Sequence, residues 1–262
     1  EEELLQTKTV KKTVWDWKTL NDNKAIWLRS STEVEDDEYT KFYKALSKDD
    51  KEPLSYTHFK AEGDVEFKSI LFIPEKPPSD LFDNYYNKAA ALKLYVRRVF
   101  ISDEFDESLL PRYLTFVRGV VDSSDLPLNV SREILQESRI VRVIRKRLIR
   151  KTFDMLRDIA AREGDDYDTF WENFGRNLKL GVIEDTDNRK DLAELLRFTT
   201  SKSGDDGELR GLDDYLNDMP EGQNSIYFVA ADNKDAAEAS PFLEKLKQKG
   251  FEVLYLLDPI DE

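Results

Sequence analysis

The sequence contains no cysteine and a single histidine, His58. These absences exclude disulfide scaffolds, Cys/His zinc centres, thiol nucleophiles and any histidine-dependent triad built away from His58. Glycine is scarce as well, with 10 in 262 residues, and none stands in a GxGxxG or GxxxxGK[S/T] pattern. Loops that cradle phosphate need glycine so that backbone N–H groups can approach the anion, and the chain offers no loop of that kind. No apolar run reaches the ~18 residues of a membrane helix, so no membrane partner is expected. Basic residues are in the minority, 40 against 54 acids, for a net charge of −14. A field of that sign repels phosphate backbones, so no nucleic-acid partner is expected either.

What is present suffices for a packed fold. Hydrophobic residues make up 40% and aromatics 11%, far more than a disordered chain of this charge content carries. The length suits two ordinary domains or one large one. The first residue is Glu1, no signal-peptide pattern follows, and Glu1 to Glu3 with Lys8, Lys11 and Lys12 resemble the tail of a charged linker. The chain stops at Glu262, just past an apolar strand. The expectation is a piece of a longer protein.

Periodicity predicts an α/β chain. Trp15 and Trp17 alternate with Val14 and Asp16, suiting a short strand or the approach to one. Val34, Tyr39, Phe42, Tyr43 and Leu46 predict a helix over 33–46. Leu54 to Ala61 and Val65 to Pro74 flank Glu62-Gly63-Asp64, and Val65, Phe67, Leu71 and Ile73 share one face at period two, which predicts a hairpin. Pro74 to Asn87 reads as a loop, Leu92 to Ser102 as one strand and Tyr113 to Val121 as another. From about Ser131 an apolar stripe through Ile140, Ile144, Leu148, Met155, Leu156 and Ile159 predicts a long helix, capped at Asn129 or Ser131 and ended by Gly164-Asp165-Asp166. Helices over 167–178 and 187–196 follow. Ile226 to Ala230, Ala236 to Lys247 and Phe251 to Leu257 then form a β-α-β unit, with a parallel strand pair expected to be buried on both faces. The predicted organisation is a large αβα unit over 1–160, a helical connector over 161–198 and a small αβα unit over 199–262.

Little of this names a reaction. The first turn of the β-α-β unit, Ala231-Asp232-Asn233-Lys234, has no glycine and places an acid where phosphate would sit, so that unit reads as scaffold. Fifty-four carboxylates define no acid/base pair. His58, between Thr57 and Phe59, reads as a structural histidine, and no metal site is expected. Seven basic residues between Arg139 and Lys151 could bind nucleic acid, but the Ile/Leu stripe among them favours a basic helix face that is packed near the acidic bulk or exposed to water. Arg132 sits near a helix N-terminus, where the dipole disfavours a cation and an incoming anion would favour one, although the ordinary reading is a surface arginine.

Four strings resemble the middle domain of the heat-shock protein 90 chaperones. They are Leu126-Pro127-Leu128-Asn129-Val130-Ser131-Arg132-Glu133, Lys93-Leu94-Tyr95-Val96-Arg97-Arg98-Val99-Phe100-Ile101, Gly119-Val120-Val121-Asp122-Ser123, and Leu178-Lys179-Leu180-Gly181-Val182-Ile183-Glu184-Asp185. Similar strings run from Trp15 to Glu262, and together they are specific. The resemblance implies an ATP-dependent chaperone whose ATPase domain precedes this segment and whose dimerisation domain follows it. Its cofactor, ATP with Mg, would bind elsewhere in the full-length protein, with none held by this segment. The family's partners would be client proteins, co-chaperones and those two flanking domains, and the segment alone would be a monomer.

The resemblance also implies roles for residues. Arg132 matches the arginine that reaches the ATP γ-phosphate when the domains dock, with Gln136 and Asn129 beside it. A guanidinium there neutralises charge on the transferring phosphoryl group. Trp27 matches an exposed client-contact tryptophan, with Leu81 and Phe82 on the neighbouring loop; Ser79 stands where cytosolic members tend to carry an aromatic. From its apolar neighbours alone, Trp27 reads as a core residue. Phe100 matches an apolar residue that supports domain docking, and reads equally well as a core strand residue. Val14-Trp15-Asp16-Trp17 and 143–152 look like the endoplasmic-reticulum form, whereas 134–142 looks like the plastid form. An organellar protein follows, with the endoplasmic reticulum lumen favoured and the plastid as alternative. The alternative from another class is a free-standing α/β enzyme or binding module for a small anion, held by Arg132 with Arg97 or Arg98.

Overall fold

The computed structural model describes residues 11–18, 24–77, 92–102, 109–126, 139–204 and 208–261. It is an α/β fold with two mixed sheets. The first holds β1 (Pro53–Ala61), β2 (Phe67–Pro74), β3 (Leu92–Val96), β4 (Val99–Ser102) and β5 (Arg118–Ser123) in the order β1-β2-β5-β3-β4. Only β3 and β5 run parallel; the other pairs are antiparallel. The predicted hairpin is β1–β2, with Ala61 opposite Phe67.

Alternation along these strands builds two cores. Phe67, Leu71 and Ile73 of β2 join Leu92 and Leu94 of β3 and Val121 of β5 on one face. Ile70 and Phe72 join Val120 on the other. The first face is covered by α2 (Arg139–Ala160), whose stripe Val141, Ile144, Leu148, Met155, Leu156 and Ile159 is almost wholly buried. Each such side chain contributes roughly 1.5–3 kcal/mol by leaving water. The second face is covered by α1 (Asp36–Ser47), through Tyr39 and Tyr43, and by the 3-10 turn Ile26–Leu28, through Trp27. The sheet therefore lies between helical layers. The polar face of α2 carries its basic residues outward, as predicted: Arg139 pairs with Asp64, and Arg147 donates to the Glu62 carbonyl.

Helices α3 (Asp166–Glu184) and α4 (Arg189–Glu194) lead into β6 (Arg197–Thr200), β7 (Arg210–Gly211), α5 (Leu212–Asn217), β8 (Tyr227–Ala230), α6 (Lys234–Glu238), α7 (Leu243–Gln248) and β9 (Val253–Leu256). The second sheet has the order β7-β6-β9-β8, with β8 and β9 parallel. Its buried polar centre is Tyr215, which donates to the Glu252 carbonyl at 2.8 Å and accepts from Gln223 and the Tyr227 N–H.

Several expectations are corrected. Residues 11–18 form no strand, and Trp15 and Trp17 are fully exposed. Leu92 to Ser102 is two strands, because Arg97 and Arg98 turn the chain with positive φ. Tyr113 to Val121 begins as a 3-10 turn, Arg112–Leu114, after Pro111 and becomes β5 only at Arg118. The helix over 236–247 is two helices, because Pro241 lacks an N–H and disfavours helix at Ser240. The parallel pair is not buried on both faces. β9 is, but β8 is an edge strand and leaves Phe228 65% exposed. β6 and β7 were not anticipated. The capping expected at Asn129 or Ser131 lies outside the described residues.

Candidate functional site

Of the residues singled out above, Asn129, Arg132 and Gln136, with Leu81 and Phe82, lie outside the described residues. Trp27 and Phe100 lie within them, and the fold brings the two onto one face of the first sheet.

The chain reaches this face through the 3-10 turn Ile26–Leu28. The Trp27 ring packs against Tyr95 of β3 at 4.8 Å and Phe42 of α1 at 5.9 Å between centroids. Its indole N–H donates to Asp122 Oδ2 at 3.0 Å. An indole donor needs such a partner once the ring is buried. Trp27 is 9% exposed, so the expected exposed tryptophan is not what the fold presents; the apolar neighbours Ile26 and Leu28 already pointed to packing. Tyr95 continues the aromatic row to Phe100, edge to face at 5.6 Å. Phe100 stands on the edge strand β4 and is 46% exposed, so it is not a core residue.

Asp122 joins this row to the β3–β4 turn. Its other oxygen, Oδ1, accepts from the Arg98 N–H at 3.3 Å. In that turn Arg97 has φ 49° and Arg98 φ 68°. Two successive left-handed residues suit the twist of a tight hairpin, but the conformation favours Asn and Gly. For other L residues it costs roughly 1–2 kcal/mol each. The turn keeps two arginines there and aims an exposed basic pair outward.

Below Trp27, Lys68 of β2 donates to the Leu28 carbonyl at 3.0 Å, and His58 Nδ1 meets the Tyr39 hydroxyl at 2.7 Å. His58 is thus the structural histidine expected. Burial holds its pKa below the usual imidazole value, and a hydrogen bond to the Trp27 backbone works against that shift. The Tyr39 ring stacks on Tyr56, whose hydroxyl donates to Asp36; burial and that carboxylate push the Tyr56 hydroxyl up to about 12.

A concavity of about 680 Å³ lies between α2 and α4 and is lined by Lys146, Arg150, Arg157 and Asp191, among others. There Arg157 is held by Asp191 at 2.5 Å and Glu194 at 3.2 Å, which ties helix to helix. Sequence reasoning missed Asp122 and the Arg97–Arg98 turn. The turn left one faint signal, two arginines interrupting an otherwise apolar alternation. Asp122 left none, because its partners are 95 and 24 residues away.

The family model described as Hsp90 protein matches residues 1–262. The chain is 58% identical to "Heat shock protein 90-5, chloroplastic" of Arabidopsis thaliana over 257 residues, which cover 98% of this chain and 32% of that protein. It is 52% identical to an endoplasmin homolog of Arabidopsis thaliana and 51% to one of Hordeum vulgare; each match covers 98% of this chain and 34% of the relative. The chain thus spans about a third of the length of these curated relatives. Among solved structures, the middle domain of a Plasmodium falciparum heat shock protein superposes with a TM-score of 0.81 at 38% identity, over 91% of this chain and 92% of that one.

Proposed function

Because this chain belongs to the Hsp90 family and forms its middle domain, we propose that it is the central segment of an ATP-dependent chaperone that contacts clients and co-chaperones. The observation that carries this reading is the family match over all 262 residues, joined to a middle-domain fold. In this reading ATP and Mg are held by a domain preceding Glu1, a dimerisation domain follows Glu262, and the units 1–160, 161–198 and 199–262 act as the body between them. Arg132, beside Asn129 and Gln136, meets the γ-phosphate when the ATPase domain docks; a fixed cation arriving at that moment stabilises charge that develops only in the transition state. Phe100 supports that docking from the edge of the first sheet. Clients meet the face around Trp27, with Leu81 and Phe82. The names of the relatives support an organellar protein, in the endoplasmic reticulum lumen or the plastid.

The test mixes this chain with a separately expressed Hsp90 ATPase domain and follows phosphate release. Stimulation that Arg132→Ala abolishes is the expected result. Stimulation that survives the substitution removes the arginine's role and leaves the family assignment intact. Robust turnover by this chain alone overturns the division of labour.

A further inference from the structure

Two cavities open side by side on the Trp27 face. One, of about 350 Å³, is lined by Trp27, Arg29, His58 and Phe59 among others. The second, of about 210 Å³, is lined by Glu66, Arg97, Arg98 and Asp122 among others. Leu28, Lys60 and Lys68 line both, so the two form one groove.

The charge of the groove opposes that of the chain. Its lining holds five cations (Arg29, Lys60, Lys68, Arg97 and Arg98) and two carboxylates, in a protein of net charge −14. One of those carboxylates, Asp122, is 7% exposed and is held by the Trp27 indole and the Arg98 N–H. Arg29 and Lys60 pair with Glu38 and Glu62, which do not line the groove. Among the described residues, the side-chain cations of Lys68, Arg97 and Arg98 have no carboxylate partner. A concave surface of one sign within a field of the other concentrates the opposite charge.

Two further features narrow the ligand. The cations are spread over both cavities, which suits several separate carboxylates better than one phosphate. Leu28 and Trp27 add an apolar wall. The strained turn adds a third: backbone strain persists where the surrounding structure uses it, and here it presents two guanidinium groups on the rim.

We propose that this groove binds an extended acidic segment of a partner polypeptide, its carboxylates on Arg97, Arg98 and Lys60 and an apolar side chain against Leu28 and the edge of Trp27. The proposal deepens the reading of the Trp27 face as a partner-contact surface and rests on it.

The test is fluorescence anisotropy of a fluorescein-labelled peptide of alternating Glu and Leu, with alternating Lys and Leu as control, titrated with the chain. The acidic peptide binds and added NaCl weakens it, whereas the basic one does not bind. The double substitution Arg97→Asn with Arg98→Gly relaxes the turn and removes both charges. It raises the melting temperature while weakening the acidic peptide by about tenfold or more, the cost of two lost charge pairs on a rim. Lys60→Ala weakens it by a smaller factor and leaves the turn alone. Equal affinity in the double variant, equal binding of the basic peptide, or no binding by folded wild type overturns the proposal. Displacement of the peptide by inorganic phosphate more readily than by chloride at equal ionic strength also overturns it, in favour of a small-anion site. The substitution that tests the ATPase reading, Arg132→Ala, is not among these, so either reading can fail alone.

Discussion

Asp122 accepts from an indole 95 residues before it and from a turn amide 24 residues before it, at 7% exposure. Asp122→Ala strands the Trp27 N–H in the core and releases the strained turn. A hydrogen bond to a charged acceptor is worth about 1.5–3 kcal/mol, so a loss of about 2–3 kcal/mol is expected by urea unfolding. Asp122→Asn keeps an acceptor and loses less. At His58 the pH dependence has a definite sign. Its folded pKa lies below the unfolded 6.5 because burial disfavours the imidazolium, so between the two values the unfolded chain binds more protons. The stabilisation is present above pH 6.5 and is lost as pH falls through the folded value. As the single histidine, it gives one imidazole titration by NMR, with a midpoint expected below 6.5; a midpoint above 6.5 contradicts the burial. The character of His58 was legible from its strand neighbours. The partner of Asp122 was not, because nothing local marks an acid that will meet an indole from a distant turn.

Helix α3 crosses the 3-10 turn Arg112–Leu114 at Gly181. A Cβ there would stand 2.8 Å from the Tyr113 ring, which is wholly buried and fixed by its hydroxyl bond to Asp185 at 2.7 Å. Gly181→Ala gains about 1 kcal/mol of helix propensity but overpacks a site that cannot yield, so a net loss of about 1–2 kcal/mol is expected in chemical denaturation. A more stable variant shows that Tyr113 can move. At this scale the β1–β2 hairpin, α1, α2 and the parallel β8–β9 pair were legible, since strong periodicity reports which face is buried. The β3–β4 turn was not legible, because arginine is an unlikely residue at positive φ and local preference argued for a continuous strand. The division of α6 from α7 was legible in principle from Pro241. The edge position of β8 was not, since an apolar run reads alike in the middle of a sheet and at its rim.

One buried cluster runs from Phe67 and Leu94 of the first sheet, through Leu156 and Phe174, to Tyr215 of α5 and Leu254 of the second sheet. Units that share a core melt together. A single calorimetric transition is therefore expected, with equal van't Hoff and calorimetric enthalpies; two separated transitions make the small unit an independent domain. Charge acts at this scale too. The excess of acid excludes global attraction to polyanions, yet the Trp27 groove gathers cations that lie between Arg29 and Arg98 in the chain. Net charge is a sum over residues, whereas a groove depends on which residues the fold places side by side.

The sequence by itself determined the fold class, the long basic-faced helix, the β-α-β pair, the structural histidine and the family. Each rests on information carried locally: period, composition or a contiguous motif. The tertiary structure alone decided that Trp27 meets Tyr95 and Asp122, that Phe100 stands at a sheet edge, that two arginines turn a hairpin, and that five cations line one groove. The physical reason is common to all four. Burial, strain and local potential depend on neighbours in space, and those neighbours are distant in the chain.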